Sequence, residues 1–221
     1  MGADITLTAA DGHKLDAYVA TPDGSPRAGM VIIQEIFGVN DDIRETVDNF
    51  AKEGYHAIAP ALFDRLGSEL VMPFDEAGIG KGRALKGQMS WDGAILDVNA
   101  AIEAVKGRGK VGIVGFCMGG SVTWLAAARS PVDVAVGYYG GDIHAHRDEA
   151  PKCPTMLHFG SEDASIPLDT VAEVEKMYPE VPVFIYEGAG HGFSCSRRGS
   201  YHPASARKAM ERTLAFFSEK L

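Results

Sequence analysis

A ten-residue stretch, 111–120, has the sequence VGIVGFCMGG and joins an apolar run to a series of small residues. The run 111–114 predicts a β-strand buried on both faces, and residues 118–129 predict the helix that follows it. Between them lies the pattern Gly-x-Cys-x-Gly, which has the form of a nucleophile elbow with Cys117 where serine is usual. Glycines suit such an elbow because its strand and helix approach each other closely. The alternative is a glycine-rich turn in which Cys117 is only a small buried apolar residue.

Strand and helix patterns alternate through the rest of the chain, after an opening hairpin that turns at Asp11-Gly12. This alternation predicts a mostly parallel, twisted sheet with helices on both faces. The segment 64–90 has weak periodicity and several glycines, and we expect a mobile excursion there with one short helix, the best candidate for a lid. Because no linker or repeat interrupts the pattern, residues 1–221 are predicted to form a single domain. Strands are predicted at 29–34, 55–59, 111–114, 132–139, 155–159 and 183–186, and helices at 41–53, 91–106, 118–129, 168–177 and 204–219.

The composition excludes several classes of function. Acidic residues outnumber basic ones, 30 against 21, and the net charge of −9 argues against nucleic acid as a partner. The chain has no apolar run long enough to span a membrane and no secretory signal at its start, so we expect no membrane partner. Three cysteines without a disulfide or metal pattern favour the cytoplasm. The pair His144 and His146 lacks a third ligand nearby, so neither a metal nor a cofactor is expected.

Two later loops carry the groups that a cysteine nucleophile needs. Asp163 follows the predicted strand 155–159, and His191 follows the strand 183–186. The ends of parallel strands meet at one edge of a sheet, and the chain order is nucleophile, acid and histidine. We therefore predict that His191 acts as general base and acid and that Asp163 orients it. Glu162 and Asp169 remain alternatives to Asp163, and His191 could instead be an ordinary loop histidine.

A carboxylate follows the apolar strand 29–34. Glu35 is predicted to point into the same cleft as Cys117, where a negative charge would disfavour the thiolate. Glu35 would then deprotonate a resting thiol when substrate arrives. The backbone N–H groups of Ile36 and Met118 are predicted to bind the oxyanion. The alternative is that Glu35 is a surface residue at a strand end.

Five motifs, in order along the chain, carry a resemblance to the dienelactone hydrolase family (carboxymethylenebutenolidases), which extends over residues 5–220. The resemblance implies an α/β-hydrolase fold without a large cap, with Cys117 as nucleophile, His191 as base, Asp163 as its orienter and Glu35 as the group that deprotonates the thiol. It also implies hydrolysis of an enol-lactone, such as dienelactone to maleylacetate, through an acyl-enzyme. The motifs are QEIFG at 34–38, GFCMGG at 115–120, GYYG at 137–140, GSED at 160–163 and GHGF at 190–193.

The same resemblance suggests which side chains contact the substrate. Members of the family hold a substrate carboxylate with two arginines, and Arg83 lies near the expected place of one. For the other we expect Arg197, although residues 194–196 displace it from the usual spacing after the histidine. Three aromatic residues resemble the walls of the family's pocket: Tyr139, Trp91 and Phe193.

Three functions remain open on the sequence alone. The first is a cysteine-dependent hydrolase of a small lactone or ester, for which an anionic substrate is compatible with the arginines. The second, motivated by the displaced arginine, is a carboxylesterase or lactonase for neutral substrates with the same triad. The third is a non-catalytic binding or thiol-sensing module on the same fold. The oligomeric state does not follow from the sequence.

Overall fold

A single sheet of eight strands organises the molecule in the computed structural model, which describes residues 2–107 and 109–221. The strand order is β1-β2-β4-β3-β5-β6-β7-β8. Strand β2 runs antiparallel to both of its neighbours, and all other pairs are parallel. The strands are β1 (Ala3–Thr8), β2 (Lys14–Ala20), β3 (Gly29–Ile33), β4 (His56–Pro60), β5 (Val111–Phe116), β6 (Val134–Tyr138), β7 (Thr155–Gly160) and β8 (Val183–Tyr186).

Helices cover both faces of this sheet, as predicted. In β3 the side chains of Met30 and Ile32 pack in one core layer, together with residues of α1 and α6. The alternate residues Val31 and Ile33 face the other way and pack with residues of α3 and α4. The helices are α1 (Asp41–Lys52), α2 (Glu76–Gln88), α3 (Trp91–Lys106), α4 (Met118–Arg129), α5 (Leu168–Met177) and α6 (Pro203–Lys220).

The predicted α/β-hydrolase architecture is therefore confirmed. Within residues 2–107 and 109–221, the long connection from β4 to β5 contains only a short 3-10 helix at Leu62–Arg65, α2 and α3. That connection adds no large cap domain to the sheet. None of the described helices is long and apolar enough to cross a membrane.

Local sequence signals explain where the helices begin. Asn40 caps α1, and its side-chain oxygen accepts hydrogen bonds from the backbone N–H groups of Asp42 and Ile43, each at 3.1 Å. Ser90 caps α3 in the same way through the N–H of Gly93 at 3.2 Å. These caps place both helices close to their predicted starts.

The segment 64–90 differs from its prediction. The prediction is a mobile excursion with one short helix, and the structure has a helix here, α2, that is longer, at 13 residues. The glycines that weaken its apolar pattern let it approach other backbone closely. A Cβ atom at Gly82 would lie 2.3 Å from the carbonyl oxygen of Ile36, and one at Gly78 would lie 2.0 Å from that of Pro73. The Gly82 contact packs α2 against the loop that follows β3, and the Gly78 contact packs it against the segment just before the helix.

Candidate active site

Cys117 occupies a sharp turn between β5 and α4. Its backbone has φ +55° and ψ −119°, a strained conformation for a residue with a side chain. The neighbouring glycines are required by space, because a Cβ atom at Gly115 would lie 2.0 Å from the carbonyl oxygen of Gly119. One at Gly119 would lie 2.4 Å from the carbonyl oxygen of Ile33. The turn therefore presents the thiol at the first turn of α4, where the helix dipole favours an anion.

Three side chains that are distant in sequence form one hydrogen-bonded chain. Nε2 of His191 lies 3.1 Å from Sγ of Cys117, and Nδ1 of His191 lies 2.7 Å from Oδ2 of Asp163. The other oxygen of Asp163 accepts a hydrogen bond from the backbone N–H of Ser165 at 2.9 Å. The carboxylate that meets His191 is thus Asp163 rather than Glu162 or Asp169. The loops after β5, β7 and β8 bring the predicted trio together at one edge of the sheet.

The surroundings favour a charged imidazole next to the thiol. Burial lowers the pKa of His191, but its hydrogen bonds to Asp163 and Cys117 outweigh burial and raise the pKa to about 10. The other two thiols are in a different environment. Burial raises the pKa of Cys153 to about 11 and that of Cys195 to about 12. Within the part of the chain that the structure describes, Cys117 is the thiol with a histidine ring within hydrogen-bond distance.

A cavity of about 280 Å³ opens beside Cys117 and His191. Ile36 and Met118, the residues predicted to supply oxyanion donors, line it on the side of the elbow. Three cationic side chains also line it: Arg83 and Lys86 from α2, and Arg198 from the segment after His191. The cavity thus combines a nucleophile, a base, candidate oxyanion donors and positive charge.

The sequence predicts that Glu35 points into the cleft of Cys117, and the structure places it in the lining of a neighbouring cavity. It is 3% exposed, and its Oε1 accepts a hydrogen bond from Nη1 of Arg198 at 3.2 Å. It lines a neighbouring cavity of about 380 Å³, together with Tyr139 and Ser194. Burial raises the pKa of Glu35, and the nearby Arg198 guanidinium opposes this rise. Glu35 is a buried carboxylate, not a surface residue, and its partner is an arginine of the catalytic cavity.

The arginine predicted after the histidine is off by one residue. Arg197 is 43% exposed at its side chain and pairs with Glu45 at 3.2 Å and with Asp42 at 3.8 Å, on the outer surface of α1. Its neighbour Arg198 points inward and lines the catalytic cavity. Two consecutive arginines in an irregular segment give no sequence signal for which one faces the site. The prediction for Arg197 is therefore wrong, and Arg198 was missed.

The three predicted pocket aromatics divide into different roles. The Tyr139 ring lies edge-on to the ring of His191, with centroids 5.2 Å apart, and its hydroxyl is 2.6 Å from Oγ of Ser194. Phe193 is fully buried against Tyr139 and lines neither cavity of the site. Trp91, at the start of α3, packs against His146 with ring centroids 5.1 Å apart, away from the catalytic cavity. Tyr139 therefore packs against His191, whereas Phe193 and Trp91 lie outside the lining of these two cavities.

A buried polar network behind the site was also missed. The Tyr138 hydroxyl lies 2.6 Å from Oγ1 of Thr213, and Nε2 of His158 lies 3.1 Å from that same oxygen. The Tyr186 hydroxyl lies 3.0 Å from Nδ1 of His158. Burial lowers the pKa of His158 to about 3, which keeps the ring neutral. The network ties α6 to β6, β7 and β8, the last two of which lead into the loops of Asp163 and His191. A histidine within the otherwise apolar β7 was its sequence signal.

A search of residues 2–107 and 109–221 finds no group of three or more His, Cys, Asp or Glu side chains that could hold a metal ion. His144, one member of the candidate pair, lies 2.7 Å from a carboxylate oxygen of Glu173 through its Nε2.

Comparison with known proteins identifies relatives over nearly the whole chain. A family model described as the dienelactone hydrolase family matches residues 15–221. Carboxymethylenebutenolidases from Pseudomonas putida and Pseudomonas knackmussii are each 35% identical over 224 residues, covering 97% of this chain and 95% of theirs. A crystal structure from Klebsiella pneumoniae, 29% identical, matches with a TM-score of 0.83 and covers 98% of this chain and 99% of that one. An esterase from Pyrococcus furiosus, 16% identical with a TM-score of 0.71, shares the fold and covers 100% of this chain and 93% of its own.

Proposed function

The chain belongs to the dienelactone hydrolase family, and from this premise we propose that it hydrolyses small lactones or activated esters through a thioester on Cys117. The observation that carries the proposal is the position of His191, whose two ring nitrogens meet the Cys117 thiol and the Asp163 carboxylate. That chain of contacts matches the requirements of an activated nucleophile: a base within reach, held by a third group.

Acylation begins from a thiolate–imidazolium pair of Cys117 and His191. The sulfur attacks the carbonyl carbon, and the resulting oxyanion accepts hydrogen bonds from the N–H groups of Ile36 and Met118. When the tetrahedral intermediate collapses, the C–O bond of the ester breaks. The leaving oxygen takes the proton from Nε2 of His191, so the products of this half are a thioester and a free hydroxyl or enol group.

Deacylation reverses the proton movement. Neutral His191 takes a proton from a water molecule, whose oxygen attacks the thioester carbonyl. The C–S bond breaks, the acid product leaves, and the thiolate–imidazolium pair is restored. Asp163 keeps its negative charge throughout and stabilises the imidazolium. The sum is one water consumed for each lactone or ester bond cleaved.

The cations in the cavity favour a substrate that carries a carboxylate. Arg83 lines the cavity and has no carboxylate partner among residues 2–107 and 109–221, so its charge is available to a ligand. Arg198 contributes a second guanidinium at the site. This pair supports an anionic enol-lactone such as dienelactone, with maleylacetate as product, over a neutral ester. A substrate carboxylate that binds Arg198 would also compete with Glu35 for that guanidinium.

The test compares the hydrolysis of cis- and trans-dienelactone with that of p-nitrophenyl acetate. We expect the chain to prefer the anionic lactones and the Cys117→Ala variant to lose about 10³-fold or more of the rate on each substrate. Cys153→Ala is the matched control and should retain activity, because this thiol lies outside the catalytic cavity.

Three outcomes would contradict the proposal in different parts. Wild-type activity in Cys117→Ala would exclude the thioester. A preference for the neutral ester would instead support a carboxylesterase of other specificity. No turnover of any lactone or ester, together with reversible oxidation of Cys117, would support a thiol-sensing module.

A further inference from the structure

Of the two cations that α2 places in the catalytic cavity, one is neutralised by the protein itself, as Arg198 is by Glu35. Nζ of Lys86 lies 2.6 Å from Oδ2 of Asp142, and both residues line the cavity. By contrast, Arg83, one turn earlier on the same helix, has no such partner among the described residues. The cavity therefore presents one available guanidinium and one cancelled ammonium on the same face of α2.

The position of Asp142 is fixed from the nucleophile helix rather than from α2. Its backbone N–H donates a hydrogen bond to Oγ of Ser121 at 2.9 Å, and Oγ of Ser121 lies 3.3 Å from Oδ2 of Asp142. Ser121 is fully buried in the first turns of α4, directly after Cys117. These hydrogen bonds to Ser121 fix the position of the Asp142 carboxylate, and the Lys86 ammonium pairs with it there.

From this arrangement we propose that Asp142 determines how many carboxylates a substrate can carry, because it cancels the charge of Lys86. The inference rests on the proposed function, whose substrate-binding cavity it specifies further. With Lys86 neutralised, a ligand with one carboxylate binds Arg83, which has no carboxylate partner among the described residues, and a second carboxylate meets Asp142 instead of a free cation. The like charge of Asp142 would disfavour that second carboxylate. Without the charge of Asp142, Lys86 becomes a further anion-binding group.

Binding of simple anions tests this without requiring turnover. The measurement is the concentration of butanoate, with one carboxylate, or of succinate, with two, that halves the rate at which iodoacetamide labels Cys117. The ionic strength is held constant, because salt screens such charges. In the wild-type chain we expect the two concentrations to agree within about threefold. In Asp142→Asn we expect the protecting concentration of succinate to fall about tenfold relative to that of butanoate. One added charge-assisted hydrogen bond would give a change of this size.

The source of the change is tested with Lys86→Met. In the double variant, Lys86→Met with Asp142→Asn, the preference for succinate should disappear, because the unmasked ammonium is gone. Alone, Lys86→Met leaves the Asp142 carboxylate without this cation, so succinate should bind about threefold or more weakly relative to butanoate than in wild type, and this arm does not depend on how well Asp142→Asn folds.

Any of three results overturns the inference: an unchanged ratio in Asp142→Asn, a succinate preference that persists in the double variant, or a gain in succinate binding relative to butanoate in Lys86→Met alone. If neither anion protects Cys117, the cavity binds no carboxylate and the inference also fails. Hydrolysis of neutral esters by the wild-type chain would still stand in that case, so failure of the inference and failure of the proposed hydrolase remain distinguishable.

Discussion

The triad and the cations around it are held in place by different kinds of structure. Cys117, Asp163 and His191 each follow a strand of the sheet, β5, β7 and β8 respectively, and the buried His158 network ties β7 and β8 to α6. Arg83 and Lys86 instead project from α2, and Arg198 lies in an irregular segment before α6.

This difference separates reaction chemistry from substrate choice. The triad is attached to elements that are fixed by the core, so its geometry depends on the whole fold. The positions of the cations depend on how α2 packs and on the conformation of the irregular segment before α6. Both can change without disturbing the core. We therefore expect substitutions of Arg83 and Lys86 to change substrate selectivity but not stability, and substitutions in the network behind the triad to change stability but not selectivity.

The larger expected effect concerns the cations. Arg83→Met should lower kcat/KM for an anionic lactone by about 10–100-fold, the value of one charge-assisted hydrogen bond. The rate on p-nitrophenyl acetate, which has no carboxylate, should change little. Because Arg83 has no carboxylate partner in the described part of the chain, its loss leaves no buried charge unpaired.

Arg197→Met is the matched control, since Arg197 makes surface ion pairs with Glu45 and Asp42. It should leave both rates within about twofold, as is usual for exposed pairs. The distinction between a cavity arginine and a surface arginine would fail if Arg83→Met and Arg197→Met lowered kcat/KM for the anionic lactone equally. It would also fail if Arg83→Met lowered the rate on the neutral ester as much as on the lactone.

The smaller effect concerns the network behind the triad. The pKa of His158 is about 3 in the folded chain against 6.5 when unperturbed, so the folded state binds its proton less readily. A lowered pKa gives stability that is fully present above pH 6.5 and is lost as the pH falls toward 3. The free energy of unfolding of the wild-type chain should therefore fall by about 2 kcal/mol as the pH falls from 7 to 5, because the unfolded state protonates His158 and the folded state does not.

Urea unfolding at pH 7, 6 and 5 measures this slope. The free energy of unfolding of the His158→Gln variant should decline less steeply than that of wild type, by that amount. Parallel declines for His158→Gln and wild type would contradict the account of a buried neutral ring. If His158→Gln also changed the preference between anionic and neutral substrates, the claim that the network affects stability but not selectivity would be contradicted.

The same contrast explains how much the sequence could predict. The elbow at Cys117 and the loops of Asp163 and His191 follow strands with clear apolar patterns, so their meeting point follows from the rule that parallel strands end at one edge. The glycines of α2 weaken its apolar pattern, although Gly82 is needed for contact with the backbone of Ile36.

Side-chain direction outside regular elements was not predictable. Neither the choice between Arg197 and Arg198 nor the pairing of Glu35 with Arg198 follows from spacing, because an irregular turn has no fixed period. The placement of Trp91 away from the site depends on how α3 packs against the region of His146, which is a long-range contact.

The central claim is that Cys117 carries the acyl group, and peptide mass spectrometry after rapid acid quench tests it most directly. During the burst of p-nitrophenol release from p-nitrophenyl acetate, we predict one acetyl group on the peptide that contains Cys117, removable by hydroxylamine, with Cys153 and Cys195 unmodified. A burst during which Cys117 stays free, or an acetyl group on another side chain, would contradict the account.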